Sequence, residues 1–175
     1  VTATHLLENQ SGDGPGSAVG LDQEIIASGN RKLTLNWDGE DDQLQILEGG
    51  NILQTLTPDD VVLDEDYLFE GFLNSLSGPT IQDVNFDGAA DLGILCGSTY
   101  NGPVCWFVWD QADERFRFAF YSSLAFEVDW DKRQLIDAWR DGNLGTEYYI
   151  YAYDDKNERI QAGYSYVAAG YEPQR

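Results

Sequence analysis

Apolar residues in this chain recur at a period of two or in short runs. From Leu21 onward, strand-length apolar stretches are broken by Gly, Asn, Asp and Pro, and nowhere do apolar residues hold helical spacing over the length of a helix. Arg31 to Trp37 and Gln43 to Glu48 alternate apolar and polar positions on either side of the acidic turn Asp38-Gly39-Glu40-Asp41-Asp42. Gly49-Gly50-Asn51 then turns into Ile52 to Leu56, which extends the hairpin into a meander. Glu147 to Tyr153 reads as a strand with Tyr149, Tyr151 and Tyr153 on one face and Tyr148, Ile150 and Ala152 on the other. Aromatics at this period are expected to pack as sheet core rather than to display a ligand platform. Arg159 to Val167 supplies a last alternating strand, while Asp59 to Gly71 mixes acids with apolar residues and admits a short helix. These patterns predict a mostly β fold of antiparallel hairpins and meanders, arranged as a single β-sandwich or propeller-like domain.

One turn pattern repeats. Trp37-Asp38 with Gln43-Leu44, Trp109-Asp110 with Arg115-Phe116, and Tyr153-Asp154 with Arg159-Ile160 share an aromatic, an Asp, a short variable stretch and an apolar restart, and Trp130-Asp131 with Leu135 is a shorter echo. The aromatic ends a strand, the Asp caps the turn through the backbone, and the apolar residue opens the partner strand. The irregular spacing between copies marks a recurring hairpin rather than a solenoid or blade period.

The stretch Asp83 to Asp91 adds chemistry. Oxygen side chains fall at loop positions one, three, five and nine (Asp83, Asn85, Asp87, Asp91), Gly88 stands at six, and the Ala89 carbonyl is available at seven. This is a hard-oxygen donor set suited to Ca²⁺, with glycine permitting the sharp turn. Ile94 stands where an EF-hand would carry its bidentate glutamate, and no helical pattern flanks the loop, so the next strand is expected from Leu92. The alternative is an acidic Asx-type turn that binds nothing.

A length of 175 residues with 42% hydrophobic content suits one domain with a real core, residues 21–175, preceded by a glycine-rich lead-in over residues 1–20. With 31 acidic against 10 basic residues, a net charge of −21, the chain is no partner for a nucleic-acid backbone and favours a cation or a basic protein. No apolar run approaches a membrane span, and no signal-peptide pattern opens the chain, which points to a processed amino terminus that in its untrimmed form could carry a lipid anchor. The two cysteines, Cys96 and Cys105, flank a Gly/Ser/Asn/Pro turn at a spacing suited to a cross-hairpin disulfide, with two buried free thiols as the alternative. A disulfide closing so short a loop contributes about 2–3 kcal/mol and implies an oxidising compartment, hence a periplasmic or secreted protein.

No nucleophile is paired with a base, no glycine-rich phosphate loop opens a helix, and the only histidine, His5, lies near the amino terminus. The chain therefore reads as a binding protein and not an enzyme; a glycosidase using two of its many carboxylates stands well behind. Two turns are candidates for contact with a partner. Ser98-Thr99-Tyr100-Asn101-Gly102-Pro103 lies between the cysteines, and Trp139-Arg140-Asp141-Gly142-Asn143-Leu144-Gly145-Thr146 displays an arginine able to pair with a carboxylate.

The run Asp83 to Asp91, the following hairpin ending in Trp109-Asp110 and Phe116, and the segment from Trp139 through Gly145-Thr146-Glu147-Tyr148 resemble bacterial periplasmic inhibitors of lysozyme-like peptidoglycan hydrolases. The likeness is to immunity proteins against peptidoglycan-cleaving effectors of type IV secretion systems, themselves similar to periplasmic inhibitors of invertebrate-type lysozyme, and it spans Thr80 to Val167. The resemblance implies a β-rich fold with bound calcium, and inhibition by a loop that meets the catalytic carboxylates of the hydrolase. Contacts are then expected from Ser98, Thr99, Tyr100, Asn101, Arg140, Asp141, Asn143, Thr146 and Tyr148. The alternative function is a calcium-dependent extracellular adhesion or carbohydrate-binding module.

Overall fold

The computed structural model describes residues 23–27, 31–38, 42–62, 71–72, 78–153 and 159–169. The lead-in and His5, part of the first acidic turn and most of the Asp59 to Gly71 stretch lie outside them. The described residues form three antiparallel sheets, each a meander of four successive strands. The first sheet holds β1 (Gln23–Ala27), β2 (Arg31–Asp38), β3 (Gln43–Glu48) and β4 (Asn51–Leu56). The second holds β5 (Thr80–Gln82), β6 (Asp91–Leu95), β7 (Val104–Asp110) and β8 (Arg115–Ser122); the third holds β9 (Phe126–Asp129), β10 (Gln134–Asp141), β11 (Gly145–Tyr153) and β12 (Arg159–Ala168). At the start of the stretch that admits a short helix, a 3-10 turn spans Pro58–Asp60, with the Thr57 amide donating to Asp60 Oδ2 at 2.8 Å. No helix among the described residues is long and apolar enough to cross a membrane.

The second sheet lies between the other two and is buried on both faces. Leu92 and Ile94 of β6 and Cys105, Phe107 and Trp109 of β7 pack with Leu33, Leu35, Leu44, Ile46 and Leu56 of the first sheet in one core. Val104 and Trp106, the alternate residues of β7, pack with Phe120 and Leu135 in a second core toward the third sheet. A strand buried on both sides must be apolar at every position, which is why Val104-Cys105-Trp106-Phe107-Val108-Trp109 runs without alternation. In β8, Phe116 and Phe118 serve the first core and Phe120 the second, although all three share one parity. A bulge resolves this: Phe107 pairs with Phe118 and Trp106 with Phe120, so Ala119 is the extra residue that turns the end of β8 to the other face.

Three hairpins carry the recurring turn. Asp38 pairs with Gln43, Asp110 with Arg115 and Asp129 with Gln134, each across a four-residue loop whose last residue (Asp42, Glu114, Arg133) has a φ of +51°, +52° and +53° respectively. Asp110 Oδ1 accepts from the Ala112 and Asp113 amides at 2.9 and 3.2 Å, and Asp129 Oδ1 accepts from Lys132 N at 3.1 Å. The expected echo at Trp130-Asp131 is thus displaced by one residue. Asp129 is the cap, while Trp130 is exposed and packs edge-on against Phe86 at 5.3 Å. In the third expected copy Tyr153 pairs with Arg159 rather than Ile160, and its turn lies outside the described residues. The three loops occupy different positions in their sheets, so they repeat a turn and not a blade.

Cys96, just beyond β6, and Cys105 in β7 form a disulfide with Cα atoms 6.0 Å apart. Gly93 pairs with Trp106, and a Cβ added at Gly93 would stand 2.9–3.0 Å from the indole ring. Overpacking of this kind costs about 1–3 kcal/mol. Gly93→Ala is therefore expected to lower the midpoint of urea unfolding, and a Trp106→Phe change in the same background to restore part of the loss.

Candidate functional site

The acidic loop between β5 and β6 is wound by two left-handed residues, Phe86 (φ +62°) and Gly88 (φ +88°). Its oxygens point at its own amides. Asp83 Oδ2 accepts from Gly88 N at 2.8 Å, Asn85 Oδ1 from Asp87 N at 3.1 Å, and Asp87 Oδ1 from Ala89 N at 2.7 Å. Asp91 is fully buried; Oδ2 accepts from Val84 N at 2.8 Å and Oδ1 from Trp109 N at 2.9 Å, which ties the loop to β7. Burial pushes the Asp91 carboxyl up to about 7, against the pull of those two amides, and the Asp87 and Asp83 charges add to the rise. Asp83 is raised for the same first reason, burial. Among the described residues no group of three or more His, Cys, Asp or Glu side chains is arranged to hold a metal ion. The donor chemistry of the loop is nonetheless all hard oxygen, and its inner carboxylate is buried beside two other acids, a setting that a cation would relieve.

The two candidate contact turns meet. Asn101 Nδ2 donates to the Arg140 carbonyl at 3.2 Å and Asn101 Oδ1 accepts from the Arg140 amide at 2.8 Å, a two-bond clasp between positions far apart in sequence. The Arg140 guanidinium lies over the Tyr100 ring at 5.2 Å and donates to its hydroxyl. Leu124 N donates to Asn101 O at 2.8 Å, drawing the β8–β9 connection onto the same ridge. Tyr100, Leu124 and Leu144 remain 75%, 68% and 67% exposed on these turns and the β8–β9 connection. Arg140 and Asp141 belong to β10, so the turn proper is Gly142-Asn143-Leu144, with Gly142 at φ +50°.

Beside the ridge, β10 and β11 form one wall of a cleft of about 670 Å³. Trp139, Tyr149 and Tyr151 supply its aromatic surface together with Tyr121, whose ring meets Trp139 edge-on at 5.8 Å. Asp137 is buried at its base, accepting from Ser123 N at 2.8 Å and from Trp139 Nε1 at 2.7 Å. Glu147 accepts from the hydroxyls of Tyr149 at 3.0 Å and Tyr164 at 3.1 Å. Burial, reinforced by that carboxylate, pushes the Tyr149 phenol up to about 12. Arg159 closes the far end, its guanidinium 4.1 Å from the Phe120 ring centroid and 4.2 Å from that of Tyr151.

Ser98, Thr99, Tyr100, Asn101, Arg140, Asp141 and Asn143 thus gather on or beside one ridge, all exposed except Asn101. Thr146 and Tyr148 pair with Arg140 and Ala138 on the sheet face turned away from Trp139 and Glu147, which sets Thr146 beside Arg140 at the foot of the ridge and Tyr148 further from it. The expectation that the tyrosine strand is core holds only in part. Tyr151 and Tyr153 pack at the margin of the second core, but none of the three is buried, and Tyr149 and Tyr151 line the cleft. Sequence reading named Trp139 only as the start of a candidate turn and gave no role to Asp137, Glu147 and Arg159. The signal was there in Leu135-Ile136-Asp137-Ala138-Trp139, where a carboxylate takes an inward position between two large apolar residues.

No protein-family model matches the chain, and no curated protein matches it in sequence, so the functional reading rests on this geometry.

Burial raises the Asp137 carboxyl above its ordinary 3.8, opposed by the Ser123 and Trp139 donors. The sign follows: this group's contribution to stability is complete below the unfolded value and is lost as pH rises through the higher folded value. Asp137→Asn cannot titrate. Its stability relative to wild type is expected to improve as pH rises above the ordinary carboxyl value of 3.8, as measured by urea unfolding at each pH; parallel profiles would contradict the assignment.

Proposed function

We propose that this chain is a calcium-stabilised periplasmic or secreted inhibitor that binds and blocks a cationic, lysozyme-like peptidoglycan hydrolase. The observation that carries the reading is the Asn101–Arg140 clasp, which joins two exposed turns into one ridge bearing Tyr100 and Arg140. A pre-ordered ridge loses little conformational entropy on entering a cleft. The Cys96–Cys105 disulfide holds one foot of it and β10 the other. An arginine at its crest is suited to a carboxylate, the group that hydrolases of this class carry at their centre. The net charge of −21 would steer a basic enzyme inward, so association should slow sharply as salt is raised.

Calcium has a structural part in this reading. Asp83, Asn85, Asp87, the Ala89 carbonyl and Asp91 would hold it, and its charge would offset three carboxylates crowded into one loop. Because Asp91 also ties the loop to β7, the metal would stiffen the strand that leads into the disulfide-bridged turn.

Adding a calcium chelator is expected to lower the thermal midpoint, and Asp87→Ala to reproduce that shift and abolish the response; a melting curve indifferent to chelator would remove calcium from the account. In lysis assays against chicken-, goose- and invertebrate-type lysozymes and bacterial hydrolases, the protein should inhibit at least one enzyme. Arg140→Ala and Tyr100→Ala should each weaken that inhibition by about tenfold or more, and failure to bind any hydrolase would sink the reading.

A further inference from the structure

We infer that the cleft between β10, β11 and the Tyr121 ring is a binding site for a short neutral oligosaccharide. The inference stands on the cleft alone and does not depend on the hydrolase reading.

The size is right: about 670 Å³ falls within the range of roughly 300–1,000 Å³ typical of small-ligand sites. The lining selects the chemistry. Asp137, Asp141 and Glu147 bring three carboxylates to the cleft and Arg159 a guanidinium, while Arg140 borders it with its own guanidinium turned to Tyr100. A lone cation would meet the Arg159 guanidinium, and a lone anion would meet all three acids. A polyol meets neither penalty, because each hydroxyl both donates and accepts and can bridge a carboxylate to a guanidinium. The aromatic walls complete the match. Trp139, Tyr149 and Tyr151 offer apolar surface to the C–H face of a pyranose, and their polar tips are directed elsewhere: Trp139 Nε1 to Asp137 and the Tyr149 hydroxyl to Glu147.

The polar groups are already positioned. Glu147 is held by two phenols and Asp137 by a backbone amide and an indole, so neither has to be ordered by the ligand. Beyond the cleft, Tyr164 sits 5.2 Å from the Tyr149 ring and is 52% exposed, which extends the aromatic wall along β12 by one more sugar-sized step.

The test is a titration of the intact chain with chitotriose, cellotriose and maltotriose, followed by the indole N–H resonances of its tryptophans. At least one trisaccharide is expected to give a saturable shift of the Trp139 signal with a dissociation constant of about 1 mM or tighter. Tyr149→Ala and Glu147→Gln should each weaken that binding by about tenfold. Asp141→Asn, at an exposed position that leaves the fold undisturbed, should weaken it several-fold and keeps the test decisive if Tyr149→Ala does not fold. The inference is overturned if no trisaccharide saturates, if the folded variants bind as wild type, or if L-arginine amide, used as a cationic competitor, occupies the cleft and the sugars do not. Any of these results leaves the hydrolase reading standing, since that reading is decided by lysis assays and the ridge variants.

Discussion

The structure depends on burying the second sheet on both faces. With β7 apolar from Val104 through Trp109, Cys105, Phe107 and Trp109 fill one core and Val104 and Trp106 the other, so neither outer sheet can separate without exposing half of a common strand. Three local features follow from that demand. Gly93 makes room for the Trp106 ring, the bulge at Ala119 lets β8 serve both cores, and Gln54 of β4 pairs its side chain with both backbone groups of Phe116 at 2.8 Å, stitching the first sheet to the second. The bulge alone departs from regular strand geometry, and it sits where two cores compete for one strand.

The buried carboxylate of Asp91 is the polar counterpart of that constraint. It lies at the start of β6, inside the apolar stack, and is tolerated because each oxygen accepts a backbone amide, one from the acidic loop and one from β7. Cutting either link would leave a buried charge or a buried N–H unsatisfied, so the loop cannot drift from the sheet at low cost. The disulfide begins a few residues further on, and the turn it closes carries Asn101. From the loop to Asn101 to Arg140, order passes through hydrogen bonds and one covalent link rather than through core packing.

The third sheet is built differently. β9 and the start of β10 pack into the second core through Phe126, Val128 and Leu135, but β11 is half-exposed throughout and β12 more so. An aromatic-rich strand pair that leaves its core in this way creates a wall with water on one side, and the ridge and the cleft share that wall, with Arg140 and Asn101 belonging to both. The two proposed contacts, one with a protein and one with a glycan, are therefore neighbours on a surface whose tyrosines and carboxylates outnumber its cations.

The mostly β character, the strand positions and the recurring Asp-capped hairpin were legible because they are local: period-two alternation, turn residues and caps act over a few positions, and β2, β3, β11 and β12 fall within a residue or two of where alternation puts them. The misplaced copy at Trp130 shows the limit of such reading, since an aromatic followed by Asp looks the same whether the strand ends at Val128-Asp129 or one residue later, and only packing against Phe86 distinguishes them. The disulfide was legible from spacing, and the tight acidic turn from its Asp, Asn and Gly residues, whose side-chain oxygens accept from the loop's own amides. By itself, then, the sequence determined the strand class, the turns, the cysteine pair and the chemical character of the Asp83 to Asp91 loop. The tertiary structure alone decided that Asn101 would reach Arg140, that Tyr149 would line a cleft instead of a core, and that Asp137, Glu147 and Arg159 would face one another. Those choices depend on strand pairing within the third sheet and on the clasp that joins it to the second, contacts between residues distant in the chain whose local patterns carry no record of one another.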